Sequence, residues 1–153
     1  MESAFRCEPA PDHPGWLTWE LRDGGGFNPL MGAVLVRLDP DGRARCRLLT
    51  DRRHANLADN MHGGAILGFA DMALFAATRM LGARGVDESA VTLDLSAQFL
   101  AAGRPGEPLD ALVELLRETG RFVFLRGLMV QGEDRIAAFS ATLRKASAAP
   151  AAR

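Results

Sequence analysis

One stretch near the middle of the chain decides the fold: Gly64–Leu81, with the sequence GAILGFADMALFAATRML. It consists mostly of Ala, Leu, Met, Phe and Ile, with few β-branched side chains, and this composition favours an α-helix. Gly82 follows directly and is typical of a helix C-terminal cap. Apolar side chains cover nearly every face of this helix, so a sheet on one side cannot bury it. We therefore expect a curved sheet wrapped around the helix, or a second subunit over its remaining face.

The flanking segments predict strands joined by short turns. Before the helix, Gly32–Leu38 and Arg43–Thr50 surround Asp39-Pro-Asp-Gly42, whose Pro and Gly suit a type I turn, so this segment predicts a hairpin. Trp16–Arg22 is predicted as a short strand, and the alternation over Val91–Phe99 predicts a half-buried strand. Further strands are predicted at Leu109–Glu118, Arg121–Gln131 and about Arg135–Arg144. Short turns favour antiparallel neighbours, which predicts an α+β fold with one antiparallel sheet and one helix.

Length and composition set the broad class of the protein. A chain of 153 residues predicts one domain, residues 1–153, with its core at about 26–144 and loop-like ends at 1–15 and 146–153. Its 48% hydrophobic and 24% charged residues exclude a disordered chain. A formal net charge of −1 argues against nucleic acid as a partner. Cys7 and Cys46 are too few for a disulfide framework or a zinc site, so both are predicted to be reduced and structural.

The sequence indicates neither export nor a membrane partner. The first 14 residues carry four charged side chains and no apolar core of a signal peptide. The most apolar stretch, Gly63–Thr78, is short for a bilayer span, and Asp71 interrupts it. We therefore expect a cytoplasmic protein.

Two features of the helix point to chemistry. Gly63 and Gly64 leave bare backbone N–H groups at its positive end, which can bind a carbonyl oxygen and the oxyanion that develops from it. Asp71 is the one ionisable residue between Gly63 and Thr78, and its apolar neighbours point to a base or a nucleophile. Other interpretations stay open at this point: a close-packed glycine pair, an aspartate that faces water, and a structural role for His62.

A family resemblance rests on the spacing of these residues. His62-Gly63-Gly64, with Phe-Ala-Asp71 nine residues after the histidine and Asn56 six residues before it, resembles the hot-dog-fold acyl-CoA thioesterases. The phenylacetate-degradation branch is the most similar. The resemblance covers about Gly26–Arg144, and the strand over Ala90–Leu100 is similar to the core strand of that family. It implies a hot-dog fold, in which a curved antiparallel sheet wraps one long central helix. It also implies an acyl-CoA substrate, no metal and no separate cofactor.

The resemblance also implies roles for single residues. In that family the acid on the helix is the base or nucleophile, and the first glycine of the pair donates its N–H to the thioester carbonyl. An asparagine places the substrate or the water, and a Ser or Thr on the core strand assists the acid. The predicted catalytic residues are therefore Asp71, Gly63, Asn56 and Thr92.

Four further residues are predicted to bind the substrate. They are His62 and Gly64 beside the thioester and, as candidate contacts of coenzyme A, Arg104 and Arg121. The chain departs from the family pattern at two places. Asp59 stands where the family usually has glycine, and Ala101-Ala-Gly-Arg-Pro105 brings Arg-Pro later than in many relatives.

Helix geometry predicts a site shared between two chains. Gly63 and Asp71 are eight residues apart, which is roughly 12 Å along a helix at 1.5 Å per residue. Catalytic contacts are near 3 Å, about a quarter of that distance. If both residues act on one carbonyl, they come from two helices that meet antiparallel across a two-fold axis. We therefore expect at least a homodimer, and favour a dimer of dimers, a homotetramer.

Three functions are distinguished at this stage. The leading hypothesis is hydrolysis of an acyl-CoA to free acid and coenzyme A. The alternative is a non-catalytic acyl-CoA-binding protein of the same fold. A hot-dog dehydratase or hydratase is disfavoured because His62 is followed directly by Gly-Gly. The acyl group, and the choice of coenzyme A or an acyl-carrier protein as carrier, stay open. Ala73, Phe75, Ala76 and Ala77 fit an acyl pocket or ordinary core packing equally well.

Overall fold

The computed structural model, which describes residues 3–86 and 89–146, confirms the predicted order of the main elements. The helix α1 spans Gly63–Met80, and it begins and ends one residue before the predicted range. The described residues form nine strands: β1 Phe5–Arg6, β2 Leu17–Thr18, β3 Glu20–Leu21, β4 Val34–Leu38, β5 Ala44–Leu48, β6 Val91–Phe99, β7 Leu109–Glu118, β8 Phe122–Gln131 and β9 Asp134–Arg144. Two short 3₁₀ helices lie at Asn28–Met31 and Arg52–His54.

One antiparallel sheet wraps the helix. Within the described part of the chain it has seven strands in the order β2-β4-β5-β7-β8-β9-β6. The predicted hairpin joins β4 to β5: Asp39 N–H donates to the Arg43 carbonyl at 2.8 Å, and Gly42 takes a left-handed φ of 86°. The helix α1 contacts strands from β4 on one side of the sheet to β6 on the other, so the sheet curves around it. The predicted α+β arrangement is therefore confirmed.

Both ends of α1 are capped, and the C-terminal end is capped as the sequence predicts. His62 takes an extended conformation and caps the first turn with its ring, which accepts the Gly64 N–H. At the other end, the Leu81 N–H donates to the Ala77 carbonyl, and Gly82 takes a φ of 73°, which glycine adopts without strain. In residues 3–86 and 89–146 no helix is long and apolar enough to cross a lipid bilayer.

The first residues are more ordered than the sequence predicts. β1 pairs with β3, and the Phe5 ring stacks on Trp19 with their centroids 4.4 Å apart. The strand predicted over Trp16–Arg22 divides at Trp19, whose side chain is buried in the main core, so that β2 joins β4 while β3 joins β1. The predicted loop-like stretch 1–15 thus contains a short strand. Of the predicted loop-like tail, residues 147–153 lie outside the described residues.

The cysteines are free thiols inside the fold. Cys46 is fully buried, and its Sγ lies 3.7 Å from the Ala73 carbonyl oxygen. Burial raises the pKa of both the Cys46 and the Cys7 thiol, which disfavours the reactive thiolate. In the described part of the chain, no group of three His, Cys, Asp or Glu side chains is placed to hold a metal ion.

β6 is an edge strand that lacks a neighbour on one side within the described chain. The sequence predicts it to be half-buried, yet Val91, Leu93 and Phe99 are 40%, 54% and 54% exposed. A register shift lies between Thr92 and Asp94 and resets the alternation, so that Leu95 and Ala97 pack against the core. An exposed edge with large apolar side chains is a surface that proteins normally pair or cover.

Gly127 offers a test of how tightly the sheet is packed. A Cβ at this position would lie 2.3 Å from Phe139 Cζ and 2.9 Å from the Leu112 carbonyl oxygen. We predict that Gly127→Ala lowers the free energy of unfolding by about 1–3 kcal/mol, because the backbone oxygen cannot move without disturbing the sheet. Gly120→Ala is the control, since nothing lies within 4 Å of its added methyl group. Equal denaturant midpoints for the two variants would contradict this packing.

Candidate functional site

The predicted acid and the predicted hydroxyl meet in the structure. Asp71 lies two turns into α1 and is partly buried, and the next turn of the helix carries fully buried Leu74 and half-buried Phe75. The Thr92 hydroxyl on β6 donates a hydrogen bond of 2.7 Å to Asp71 Oδ1. This bond links the central helix to the edge strand. It fixes one carboxylate oxygen, while Oδ2 has no hydrogen-bond partner among the described residues.

The register shift in β6 is what brings Thr92 to the helix side. In a regular strand, residues an odd number apart point to opposite faces, so Thr92 would face away from Leu95 and Ala97. With the shift between Thr92 and Asp94, all three contact the helix side of the sheet. The sequence alternation alone places Thr92 on the polar face, and so gives no signal for this orientation.

The N-terminus of α1 presents one free amide rather than two. The Gly64 N–H donates to His62 Nδ1 at 2.9 Å, so it is engaged by the cap. This corrects the expectation that both glycine amides are bare. The Gly63 N–H has no acceptor among the described residues, and it lies at the positive end of the helix. Neutral His62 that accepts at Nδ1 carries its proton on Nε2, on an exposed side chain.

A side chain at either glycine would meet a different neighbour. A Cβ on Gly64 would lie 3.0 Å from His62 Nδ1, which is tight enough to disturb the cap. A Cβ on Gly63 would lie 3.4 Å from Cζ of Phe99, whose ring covers this glycine from β6. The edge strand therefore contacts both chemical features of the helix: Thr92 at the acid and Phe99 at the free amide. The sequence analysis did not identify Phe99 as a neighbour of the site, although it lies on the same predicted strand as Thr92.

Asn56 organises the loop that precedes the helix. Its Oδ1 accepts the N–H groups of Ala58 and Asn60 at 2.9 and 3.1 Å, and its own N–H donates to the Asn60 carbonyl at 2.7 Å. The side-chain NH₂ has no partner among the described residues. Asn56 therefore shapes the loop with its oxygen and retains two donors for a substrate oxygen or a water molecule.

Asp59 fits the position at which the family usually has glycine. It is the one non-glycine residue of the described chain with a positive φ, 58°, and aspartate tolerates this left-handed conformation better than most residues. Its carboxylate lies 3.1 Å from the Arg52 guanidinium in an exposed ion pair. The departure from the family pattern therefore preserves the backbone path of the Asn56 loop.

The two predicted coenzyme A contacts differ in their surroundings. Arg104 donates to Glu107 at 2.8 Å and to Asp134 at 2.9 Å, and these two hydrogen bonds raise the pKa of its guanidinium. Its charge is thus already balanced, and its main-chain N–H binds buried Gln131. Arg121 lies exposed at the turn between β7 and β8, and its guanidinium has no ion-pair partner in the described chain. Its contact with coenzyme A stays a prediction.

The apolar residues considered for an acyl pocket belong to the core. Ala73, Ala76 and Ala77 are fully buried in the main hydrophobic cluster, on the side of α1 that faces the sheet. Phe75 is partly buried and packs against the same cluster. These side chains are therefore explained by core packing.

The antiparallel sheet that curves around one long helix is a hot-dog fold, and comparisons with known proteins agree. The model of the Thioesterase superfamily matches residues 58–138. The chain therefore belongs to this superfamily and is a thioester hydrolase. The predicted resemblance to the hot-dog thioesterases and the predicted hot-dog fold are therefore confirmed. No curated protein sequence matches the chain.

Solved structures share the fold at low sequence identity. The PaaI protein of the E. coli phenylacetic acid degradation operon is 20% identical, with a TM-score of 0.60, over 69% of this chain and 73% of that one. Zebra fish thioesterase superfamily member 2 is 22% identical, with a TM-score of 0.67, over 81% and 89%. A hypothetical thioesterase of Streptococcus pneumoniae, solved with coenzyme A, is 19% identical, with a TM-score of 0.62, over 73% and 87%.

The left-handed backbone at Asp59 can be tested by substitution. We predict that Asp59→Val lowers the free energy of unfolding by about 1–2 kcal/mol, because a β-branched residue is strained at positive φ. Asp59→Gly should stay within about 0.5 kcal/mol of wild type, since the exposed ion pair with Arg52 contributes little. Leu57→Val introduces the same side chain in the same loop at an ordinary φ and is the control. If Asp59→Val were no less stable than Leu57→Val, the assigned conformation would be wrong.

Proposed function

We propose that the protein hydrolyses the thioester bond of an acyl-CoA to give a free acid and coenzyme A. The observation that carries this proposal is the Thr92–Asp71 hydrogen bond in an otherwise apolar part of the helix, together with the free Gly63 amide at its start. The solved structure of a similar thioesterase with coenzyme A supports this carrier over an acyl-carrier protein.

The chemistry follows from the acceptors and donors at the site. In one route, Asp71 takes a proton from a water molecule while the water oxygen attacks the thioester carbonyl carbon. The Gly63 N–H binds the oxyanion that forms, and collapse of this intermediate breaks the C–S bond. The coenzyme A thiolate leaves and takes up the proton. In the other route, Asp71 attacks the carbonyl carbon and the C–S bond breaks, which gives a mixed anhydride and the coenzyme A thiolate. Water then hydrolyses the anhydride to the free acid and the Asp71 carboxylate, and the proton released goes to the thiolate.

Positioning residues complete the proposed site. The Thr92 hydroxyl donates to Asp71 Oδ1 and so fixes the orientation of the carboxylate in the proposed site. The side-chain NH₂ of Asn56 is available to hold the water or the substrate carbonyl. His62 accepts the Gly64 N–H, so the Gly63 N–H is the one glycine amide left to donate to the oxyanion.

The site requires two copies of the chain. Within α1 the eight residues between Gly63 and Asp71 span roughly 12 Å, while one carbonyl needs both within about 3 Å. The exposed edge of β6 supplies the contact surface, because Thr92 and Phe99 lie on this strand beside the two functional groups. Pairing of β6 with its symmetry mate covers Val91 and Leu93 and brings two α1 helices together antiparallel. The active form is thus a homodimer at least, and we favour a dimer of dimers.

Asp71→Asn tests the role of the acid. We predict a loss of kcat of about 100-fold or more on acyl-CoA substrates, since the near-isosteric amide cannot accept the proton or attack. Thr92→Val should reduce kcat by about tenfold, because the carboxylate loses its hydrogen bond. The measurement is release of free thiol. Asp94→Asn makes the same chemical change at an exposed acid on β6, outside the proposed site, and is the control. Turnover of Asp71→Asn within threefold of that control would overturn the role of Asp71.

Mixed dimers test the shared site. One partner carries Asp71→Asn, and the other carries Gly63→Pro, which removes the donor N–H at a helix start that tolerates proline. The extended backbone of His62, with ψ at 131°, is what a residue before proline requires. Random exchange makes half of the dimers hybrid, each with one intact site, so about a quarter of wild-type activity should return. With subunit exchange demonstrated, activity no higher than that of the two homodimers would place the site within one chain.

A further inference from the structure

A buried histidine precedes the loop that leads into α1. His54 ends the 3₁₀ helix Arg52–His54, and its side chain is almost fully buried. Its Nε2 lies 2.6 Å from the Met31 carbonyl oxygen, which can only accept, so Nε2 carries the ring proton and donates it. Its Nδ1 is then able to accept the Asp51 N–H at 3.0 Å. The neutral ring thus uses both nitrogens, and both of these partners are main-chain groups.

The bond to Met31 joins two segments that are distant in sequence. Met31 ends the 3₁₀ helix Asn28–Met31, and its side chain belongs to the main core. A carbonyl at the end of a helix has no partner within that helix, and here the His54 ring supplies one. Because an unpaired buried polar group is costly, the ring and its two main-chain partners hold one another in place.

His54 also closes the base of the loop that carries Asn56. Its carbonyl accepts the His62 N–H at 2.7 Å, and the Asn56 N–H donates to the Asn60 carbonyl at 2.7 Å. An isolated antiparallel bridge pairs the two residues that lie between these bonds. Residues 54–62 therefore form a narrow hairpin, the Asn56 hairpin, with His54 and His62 at its base.

The donors at this end of the site both depend on the hairpin. Asn56 lies two residues from its base and retains the side-chain NH₂ that has no partner among the described residues. On the opposite arm, His62 is the N-cap of α1, and the free Gly63 amide follows it directly. The His62 side chain is exposed, so it does not anchor the hairpin in the core.

Two anchors hold the base of the hairpin from opposite sides. On the arm that enters α1, Met61 is buried, and its N–H donates to the Gly103 carbonyl at 2.8 Å. On the other arm the anchor is the ring of His54, through the Met31 carbonyl. Loss of the second anchor leaves the hairpin held at Met61, about which it can pivot.

We propose that His54 is a positioning residue of the candidate site: its ring, tied to the Met31 carbonyl, sets the place of the Gly63 amide and of the Asn56 side chain. The inference rests on the proposed function, because it concerns the same site. His54 acts through the main chain and does not itself contact the reacting atoms. A displacement of about 1 Å at a reacting centre costs up to about 100-fold in rate.

Two substitutions separate the two ring nitrogens. The NH₂ of His54→Gln can reach the place of Nε2 and keep the bond to Met31, whereas His54→Asn keeps only an acceptor near the place of Nδ1. We expect His54→Asn to lower kcat for thiol release from acyl-CoA about tenfold or more, with KM within about threefold of wild type. His54→Gln should keep kcat within about threefold of wild type.

The control is a variant that is destabilised away from the site. Gly127→Ala strains the sheet between Phe139 and the Leu112 carbonyl, so it should lower the melting temperature and leave kcat within about threefold of wild type. Circular dichroism verifies that each variant is folded, and kcat is measured well below the melting temperature of each. An effect of His54→Asn on kcat that Gly127→Ala lacks is therefore not an effect of stability.

Amide hydrogen exchange gives a readout that needs no activity. The His62 N–H is protected by its bond to the His54 carbonyl. We expect it to exchange about tenfold faster or more in His54→Asn, and within about threefold of wild type in His54→Gln and Gly127→Ala. The rates are taken relative to amides in the middle of α1, so that a global loss of stability cancels.

Each result supports or overturns the inference. Loss of kcat and of His62 protection in His54→Asn, with both retained in His54→Gln, supports it. The inference is wrong if His54→Asn keeps either within about threefold of wild type, if His54→Gln loses as much, or if Gly127→Ala loses as much kcat. If His54→Asn does not fold, an exchange rate about tenfold faster at His62 in His54→Gln overturns the inference, and a wild-type rate supports it.

Failure of the proposed function has a separate signature. If the wild-type protein releases no thiol from any acyl-CoA, the proposed function fails. The exchange of the His62 amide then still decides whether His54 holds the Asn56 hairpin.

Discussion

The structure depends on the need to cover a helix that is apolar on nearly every face. Nine residues of α1 are buried, and no single flat layer reaches all of them. The sheet therefore curls from β4 to β6 around one side, and the chain before β4 returns over another side with Phe5, Trp19 and Met31. A narrow strip along the helix stays uncovered, and it includes exposed Gly64 and Leu67 and partly exposed Asp71. The candidate site is the part of the helix that one chain leaves unburied.

Much of this architecture was predictable because the relevant signals are local. Periodicity placed the long strands to within a residue, since Thr119-Gly120 and Gly132-Glu-Asp134 mark the turns between them. The division of the Trp16–Arg22 segment was not predictable, because it depends on Trp19 reaching a core assembled from distant residues. Strands β1 and β3 have two residues each, too few for any periodic signal.

The candidate site was predictable as a set of residues but not as a geometry. The spacing of Asn56, Gly63 and Asp71 identified the group. The orientation of Thr92 depends on a register shift in β6 that no pattern in the sequence marks. The Gly64 amide was expected to be free, yet the preceding histidine captures it. The structure places Glu107 and Asp134 against Arg104, which the sequence did not indicate, and the contact of Arg104 with coenzyme A stays a prediction. In each case the contacts of the predicted residue depend on where other side chains lie in the folded protein, and the sequence pattern does not specify those positions.

Three glycines in the first two turns of α1 have three different structural roles. Gly63 leaves its amide open beneath the ring of Phe99, Gly64 makes room for the imidazole cap, and Gly68 seats the ring of Phe27. The first of these rings comes from the edge strand and the second from the N-terminal part of the chain, so the helix is contacted on both flanks within two turns. The hydroxyl that orients Asp71 also lies on that edge strand, which within the described chain pairs with β9 as its one neighbouring strand. Pairing of the free edge in the proposed dimer would therefore hold Thr92 and Phe99 from the second side. Assembly and the positioning of the acid then depend on the same strand.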